Sequence, residues 1–482
     1  MANNDRSPDT QMDRVSDAGA SFSDDAVTAT HKPSTAQAKG VVCSPTASDG
    51  DDTLFAAPYR PRNKFTEVLN RLVPHGGTLS NSYNLAAVTL GSGVIALPSA
   101  FQATGVVTSI LVLIAITLST VYSVYIMMQA ADKTGRRLYS YEALARGLLG
   151  RGWDYLAAFN MWMFCFGSCV SYVISTGDLL SRATDDPSVN SFVRSTWGNR
   201  VLVIIVWVCV MLPLSIPKEI NSLRYFSIVG VSCMMYFVIV IIIHSAMNGF
   251  ENGRAIHTPK MFKTGNNAIV GFSNFLFAFL AQTNVFEVAR ETPDPTPARI
   301  SKDMAVSQVI CCVLYILAGI FGYLEFGEAI TDSILLYYNV RSDVLVAIAY
   351  VGIGVKMCVG FAICMQPSRD AVYYCLGWHF PMFKDIRSVP FWINAAICTG
   401  FSVLALVLGL FIPSVNIVFG LVGSFCGGFL GFIFPALFIM YAGNWGRRQV
   451  GWFHYLSTYL LLIAGVIAII FGTVASIYGE VN

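Results

Sequence analysis

A serine between two glycines, Gly91-Ser92-Gly93, stands at the middle of an apolar run, with Pro98 five residues further on. Glycine weakens a helix and proline removes a backbone donor. A helix that breaks in hydrocarbon must line a cavity with the groups it frees. The second half-helix would then start with bare N–H groups, and these together with the helix dipole favour an anion such as a carboxylate. The alternative is close helix approach through small residues. Gly91, Gly93 and Ala96 also match GxGxxA, but no strand precedes them, which removes the dinucleotide reading.

A second polar group lies in another apolar run, Gln282-Thr283-Asn284 after Phe277, Phe279 and Ala281. Either these side chains bond to a neighbouring helix, or the helix is interrupted and its carbonyls receive an amine or a cation. No Gly or Pro marks the break. Lys356 stands near the centre of a third run, where a charge costs at least ~2.5–3.5 kcal/mol and so faces the bundle interior or a wet cavity. It is a structural lysine tied to carbonyls, or its ammonium fills the place of a coupling cation, or its amine carries a transported proton. Glu287, Asp178 and Glu325 stand within or at the ends of runs. Each is an interfacial or ion-paired group, or the counter-charge of a cationic substrate. Gly420, Gly423, Gly427 and Gly431 form a small-residue face for helix packing, and Tyr172, Phe277 and Phe279 could wall a pocket.

The elements that must carry these residues follow from composition and length. The 482 residues are 55% hydrophobic and 12% charged, with a net charge of +2. Soluble chains average roughly 45–50% apolar and about 25% charged. A disordered or fibrous chain and a nucleic-acid binder are excluded, and a soluble enzyme is disfavoured. Eleven apolar segments are long enough to cross ~30 Å of hydrocarbon as helices. They are 80–103, 106–131, 153–180, 200–217, 225–246, 268–290, 304–326, 343–366, 388–411, 414–441 and 450–477. They are too long for barrel strands. Segments 1 and 6 are the polar, interruptible ones, and two interrupted spans in matching halves point to inverted repeats.

Residues 1–62 are rich in Asp, Ser, Thr and Ala and read as a disordered tail before a membrane domain at 63–482. The loops fix an orientation. With a cytosolic N-terminus, fifteen Lys and Arg fall in inner loops, Arg369, Lys384 and Arg387 among them, and seven in outer loops. The eleventh segment then leaves the C-terminus outside. No N-x-[ST] sequon offers a check. Of twelve cysteines, Cys43 falls in the tail, Cys375 in a loop and ten in apolar segments as small hydrophobes. No CxxC pair supports zinc, and no HExxH or GxSxG supports an enzyme.

The string LGSGVIALPSAFQATG (90–105) resembles the amino acid/auxin permease family, as do PLSIPKEINSLRYFS (213–227), NVFEVARE (284–291), GYLEFG (322–327) and GFIFPALF (431–438). The blocks span most of 80–477, and the tail and loop style resemble the trypanosomatid branch. The resemblance implies an all-α membrane protein of the APC/LeuT-like type, with eleven helices, a five-plus-five inverted repeat and interrupted helices 1 and 6. It implies an amino acid bound at Gly91, Ser92 and Gly93 and along Phe279 to Asn284. Some sodium-coupled relatives carry Asn where this chain has Ala87, and hydroxyl residues where it has Cys358 and Gly360. The expectation is therefore a multi-pass, plasma-membrane amino acid transporter that works by alternating access without sodium or a cofactor. Protons are the candidate coupling ion. Cationic amino acids are preferred over neutral ones, and an amino-acid sensor acting through the tail is the reading of another class.

Overall fold

The computed structural model describes residues 77–481 except 136–137, 218–222, 252–253, 342, 384–387 and 444. The expected tail at 1–62 lies outside the described residues, as do Cys43 and five of the counted basic residues, Arg136, Arg137, Lys218, Lys384 and Arg387.

Apolar runs in lipid must satisfy their backbone internally, and here they do so as helices. Among the described residues ten helices are long and apolar enough to cross a membrane, and a bent pair makes the eleventh span. Span 1 is that pair, Thr78–Thr89 and Gly93–Thr104. Spans 2 to 6 are Val106–Lys133, Trp153–Ala183, Thr196–Ser215, Ile228–Asn248 and Asn266–Glu291. Spans 7 to 11 are Pro297–Ala329, Val344–Gly377, Phe391–Phe411, Val415–Tyr441 and Trp452–Gly479. Among the described residues the one extended pairing is a two-residue ladder, Phe250–Glu251 with Arg254–Ala255. The fold is the all-α, multi-span one expected from the sequence. We call the membrane face where span 1 starts the entry face and the other the far face.

Spans 3, 6 and 10 are 83%, 83% and 78% buried over their most apolar stretch, against 28% and 33% for spans 4 and 9. The first three therefore form the centre with span 1, and the latter two turn their apolar sides outward. Span 10 reaches the centre through its glycines. A Cβ on Gly423 would stand 2.2 Å from the Ser273 carbonyl oxygen of span 6, and one on Gly427 3.3 Å from the Leu276 Cβ. The helix widens to π geometry over Gly427–Ile433. The small-residue face is thus a packing face against span 6.

Span 8 corrects three expectations. It does not stop near 366 but runs through Pro367 to Gly377. Proline costs one helical hydrogen bond, and the polar face beyond it is held by span 9. Arg369, which the loop count took as an inner-loop charge, is 1% exposed and donates to Asn394 Oδ1 at 3.2 Å. Tyr373 donates to the same oxygen at 3.1 Å. Cys375, expected in a loop, lies in this helix. The eleven described cysteines are all free. Span 7 starts at Pro297, earlier than expected, because Thr296 caps it through Oγ1 and the Arg299 amide. That brings Asp303 into the membrane helix.

Gly423→Val should cost about 1–3 kcal/mol by overpacking the span 6 contact and lower the unfolding temperature of the purified protein. Unfolding at the wild-type temperature would contradict the packing described.

Candidate functional site

Span 1 comes undone over Leu90–Ser92, and its halves meet at 61°. The Leu90 amide still closes on Ala86 O at 2.7 Å, but the Gly91 amide turns to Thr89 O at 2.8 Å. The Ala87 carbonyl has therefore lost the amide four residues on. Lys356 replaces it, with Nζ donating to Ala87 O at 2.7 Å. The lysine is 4% exposed. Its stem passes Gly230 of span 5, where a Cβ would stand 3.0 Å from Lys356 Cδ. The two residues that the sequence marked for a cation site are thus in direct contact, and the ammonium sits at the negative end of a half-helix.

Thr89 O has lost the Gly93 amide four residues on and keeps the Gly91 amide instead. The Tyr315 hydroxyl of span 7 donates to it at 2.5 Å and lies 3.0 Å from Ala278 O in span 6. A phenol has one hydrogen, so the two carbonyls share it. Tyr315 thus spans both interruptions. Span 6 is helical to Phe279, irregular at Leu280 and Ala281, tight over Gln282–Asn284 and helical again over Val285–Glu291. The Ala281 amide bonds to Phe279 O at 2.8 Å instead of continuing the helix. Without Gly or Pro of its own, this break is met by the glycine of its neighbour. A Cβ on Gly93 would stand 2.8 Å from Ala278 Cβ. Small-residue packing and a helix break, alternatives at the level of sequence, both occur at this motif.

Ser92 Oγ is 2.8 Å from Ser171 Oγ, which itself donates to Ser168 O at 2.8 Å, so Ser92 is the donor of the pair. Tyr172 wedges its ring between Gly91 and Gly360. A Cβ on Gly91 would stand 2.8 Å from its hydroxyl, and one on Gly360 2.7 Å. Gly360 is therefore where span 8 makes room for a phenol. Phe277 stacks on Phe419 at 4.3 Å and leans on Phe164 at 5.4 Å, and Phe279 meets Tyr315 edge-on at 5.0 Å. The Gln282 Oε1 and Thr283 Oγ1 atoms are buried with no hydrogen-bond partner among the described residues. Backbone amides and carbonyls outside helical pairing could, with these atoms, hold a small zwitterion beside an aromatic wall.

The structure brings Ala87, Gly91, Ser92, Gly93, Phe277, Phe279, Ala281, Gln282, Thr283, Asn284 and Lys356 to the two breaks. It does not bring the three acids there. Glu325, near the far end of span 7, contacts His244 Nδ1 and accepts from Tyr338 at 3.1 Å. Glu287 is exposed on the entry-face segment of span 6. Asp178 lies six residues beyond Tyr172 toward the far face, and its Oδ2 is buried without a hydrogen-bond partner among the described residues. Sequence reasoning missed Tyr315 and Ser171, since a tyrosine or a serine in an apolar run carries no mark of the carbonyl or hydroxyl it meets.

The family model for transmembrane amino acid transporter proteins matches residues 75–478. Similar proteins include sodium-coupled neutral amino acid symporter 2 of Danio rerio, 25% identical over 74% of this chain and 73% of its own. Vacuolar amino acid transporter 5 of Schizosaccharomyces pombe is 25% identical over 74% of this chain and 83% of its own. Vacuolar amino acid transporter 6 of Saccharomyces cerevisiae is 25% identical over 62% and 66%.

Tyr315→Phe would leave the buried Ala278 carbonyl without its donor and the Thr89 carbonyl with the Gly91 amide alone, at about 1–3 kcal/mol. Thermal unfolding should come earlier than in wild type, whereas Tyr155→Phe at the exposed side of span 3 should be neutral. Equal unfolding temperatures for the two variants would remove Tyr315 from the site.

Proposed function

The chain belongs to the transmembrane amino acid transporter family, and we propose that it carries its amino acid at the two helix breaks by alternating access, without sodium. The observation that carries this reading is the pair of interruptions bridged by the Tyr315 hydroxyl. The substrate carboxylate meets the amides at Gly91, Ser92 and Gly93, with the Gly91 amide turning from Thr89 O, and its amine meets the remaining lone pairs of the span 6 carbonyls near Phe279 and Ala281, with Gln282, Thr283 and Asn284 beside them. Both charged ends are then met by fixed dipoles outside water, which is the economical way to strip a zwitterion of its hydration.

Lys356 supplies the positive charge that an inorganic cation would bring to the Ala87 carbonyl. A sodium ion at that carbonyl would have to displace the ammonium. This favours a facilitated or proton-coupled cycle, with the lysine amine as the group that can exchange a proton.

For the side chain we favour cationic amino acids. Asp178 holds a buried carboxylate oxygen with no partner on the same span as Tyr172, so a positive side chain reaching toward the far face would neutralise it. A neutral side chain is the second reading. The acids stand away from the breaks, and one relative is a neutral amino acid symporter. With the entry face cytosolic, an inside-negative potential would draw a cationic substrate inward by ~2.3 kcal/mol per 100 mV. We place the protein in the plasma membrane on this argument, while two relatives are vacuolar transporters.

Competition of uptake by all twenty amino acids, at two pH values and with and without sodium, tests the substrate and the coupling. Lys356→Ala should abolish uptake or change its ion and pH dependence, and wild-type rates with an unchanged pH profile would discard the lysine's role. Asp178→Asn should weaken competition by arginine and lysine at least about tenfold, or ~1.4 kcal/mol, and leave neutral competitors unaffected. An equal effect on both classes would rule out the cationic reading.

A further inference from the structure

We propose that Asn81, Thr292 and Asp303 form a latch that holds the entry-face half of span 1 shut. We further propose that Ser99, Asn274 and Asn416 form its counterpart on the far face, and that the two open in alternation. The proposal rests on the alternating-access reading and names the residues that enforce it.

The entry-face latch is built around one carboxamide. Asn81 stands in the first turn of span 1 and spends both Nδ2 hydrogens at once, on Thr292 Oγ1 at 2.9 Å and on Asp303 Oδ2 at 2.7 Å. Ser82 adds a bond from Oγ to the Asp303 carbonyl at 2.9 Å. Two consecutive residues thereby fasten this half-helix to the end of span 6 and to the second turn of span 7. The Thr292 hydrogen is already given to Val288 O at 2.6 Å, so its oxygen is fixed as an acceptor.

The latch is poised to release. Asp303 is 0% exposed, yet its Oδ1 has no partner among the described residues. A carboxylate taken out of water with one oxygen unmet destabilises whatever arrangement keeps it there. Opening breaks three hydrogen bonds but returns water to the anion, so the closed and open forms stand closer in free energy than the bonds alone imply. The same surface continues toward the breaks. Gln308 Oε1 on span 7 and Asn84 Oδ1 on span 1 are buried without a hydrogen-bond partner among the described residues. A permanent helix contact in lipid would be apolar or fully bonded. A contact lined by unmet acceptors suits a surface that is wetted in part of a cycle.

On the far face another carboxamide does the same for the other halves. Asn416, in the first turn of span 10, donates to Ser99 Oγ at 3.2 Å and to Thr331 O at 3.1 Å. It accepts at Oδ1 from Asn274 Nδ2 at 3.0 Å. Ser99 belongs to the second half of span 1 and Asn274 to the first half of span 6. Each cluster therefore joins one half of each broken span, on opposite sides of the breaks. With both fastened the site is closed to both faces, and a cycle must release one while the other holds.

Cys311 reports on the entry-face latch. It is 0% exposed on span 7, with its sulfur against the Thr89 and Ser307 hydroxyls, so a reagent reaches it only when span 1 leaves span 7. The experiment uses the full chain in liposomes without substrate. N-ethylmaleimide alkylation of Cys311 is followed peptide by peptide by mass spectrometry. Asn81→Ala and Thr292→Val should raise the rate at least fivefold. Asp303→Asn, which keeps an acceptor for Asn81 and removes the buried charge that favours opening, should not exceed the wild-type rate. Asn416→Ala should lower the rate at least twofold by settling the protein in the form open to the far face. Wild-type rates in both Asn81→Ala and Thr292→Val, or a raised rate in Asn416→Ala, would overturn the proposal. If Asn81→Ala does not fold, Thr292→Val and Asn416→Ala make the same comparison. Labelling is read without amino acid, so a wrong substrate assignment would show as missing uptake with the labelling contrast intact.

Discussion

The constraint on which the rest depends is the hydrogen-bond deficit of span 1. A helix that stops at Thr89 and restarts at Gly93 in a low-dielectric medium leaves carbonyls behind it and amides ahead of it that water cannot reach freely. Each unmet group costs on the order of 1–3 kcal/mol. The chain answers with side chains from other spans. Lys356 takes the Ala87 carbonyl, and Tyr315 takes the Thr89 carbonyl and reaches Ala278. These donors come from spans 8 and 7, so the local break becomes a tertiary arrangement. The carbonyl side is thus largely met by protein groups, whereas the amide side is where a carboxylate fits.

Packing serves the same end. Glycines stand where an element must come close to the breaks. Gly91 and Gly360 admit the Tyr172 ring, Gly93 admits Ala278, and Gly423 admits the span 6 backbone. Methyl groups there would push the phenol or the second broken helix away from the first. Close backbone approach costs helix propensity at each glycine and is repaid by bringing two sets of main-chain dipoles within reach of one small molecule. Span 6 breaks without a glycine of its own because its neighbours supply them.

This explains what could be read from the residues alone. The break at Gly91–Gly93 was legible because glycine, serine and proline act on the backbone they belong to. Lys356 was legible as a buried charge, since its cost depends on depth alone. Its partner was not, because the vacancy at Ala87 O arises only when the Gly91 amide turns aside. Tyr315 left no mark, as a phenol among aliphatic residues is equally at home in a core. Glu325 was legible as an acid, but His244 and Tyr338 occupy it, and nothing local in either stretch announced that meeting. Segment 8 was expected to end at 366, and the bonds of Arg369 and Tyr373 to Asn394 on span 9 show how the helix continues past Pro367. The eleven spans were legible because length and apolarity decide them, whereas their ends depend on caps such as Thr296.

The central claim is that the amides of residues 91–93 have no helical carbonyl partner four residues back and receive the substrate carboxylate. Hydrogen–deuterium exchange resolved to this stretch, on the reconstituted protein with and without amino acid, measures it most directly. The account requires faster exchange here than at residues 95–97 without substrate, and slowing here when a transported amino acid is added. Exchange as slow as in the flanking helix, unmoved by any amino acid, would contradict it.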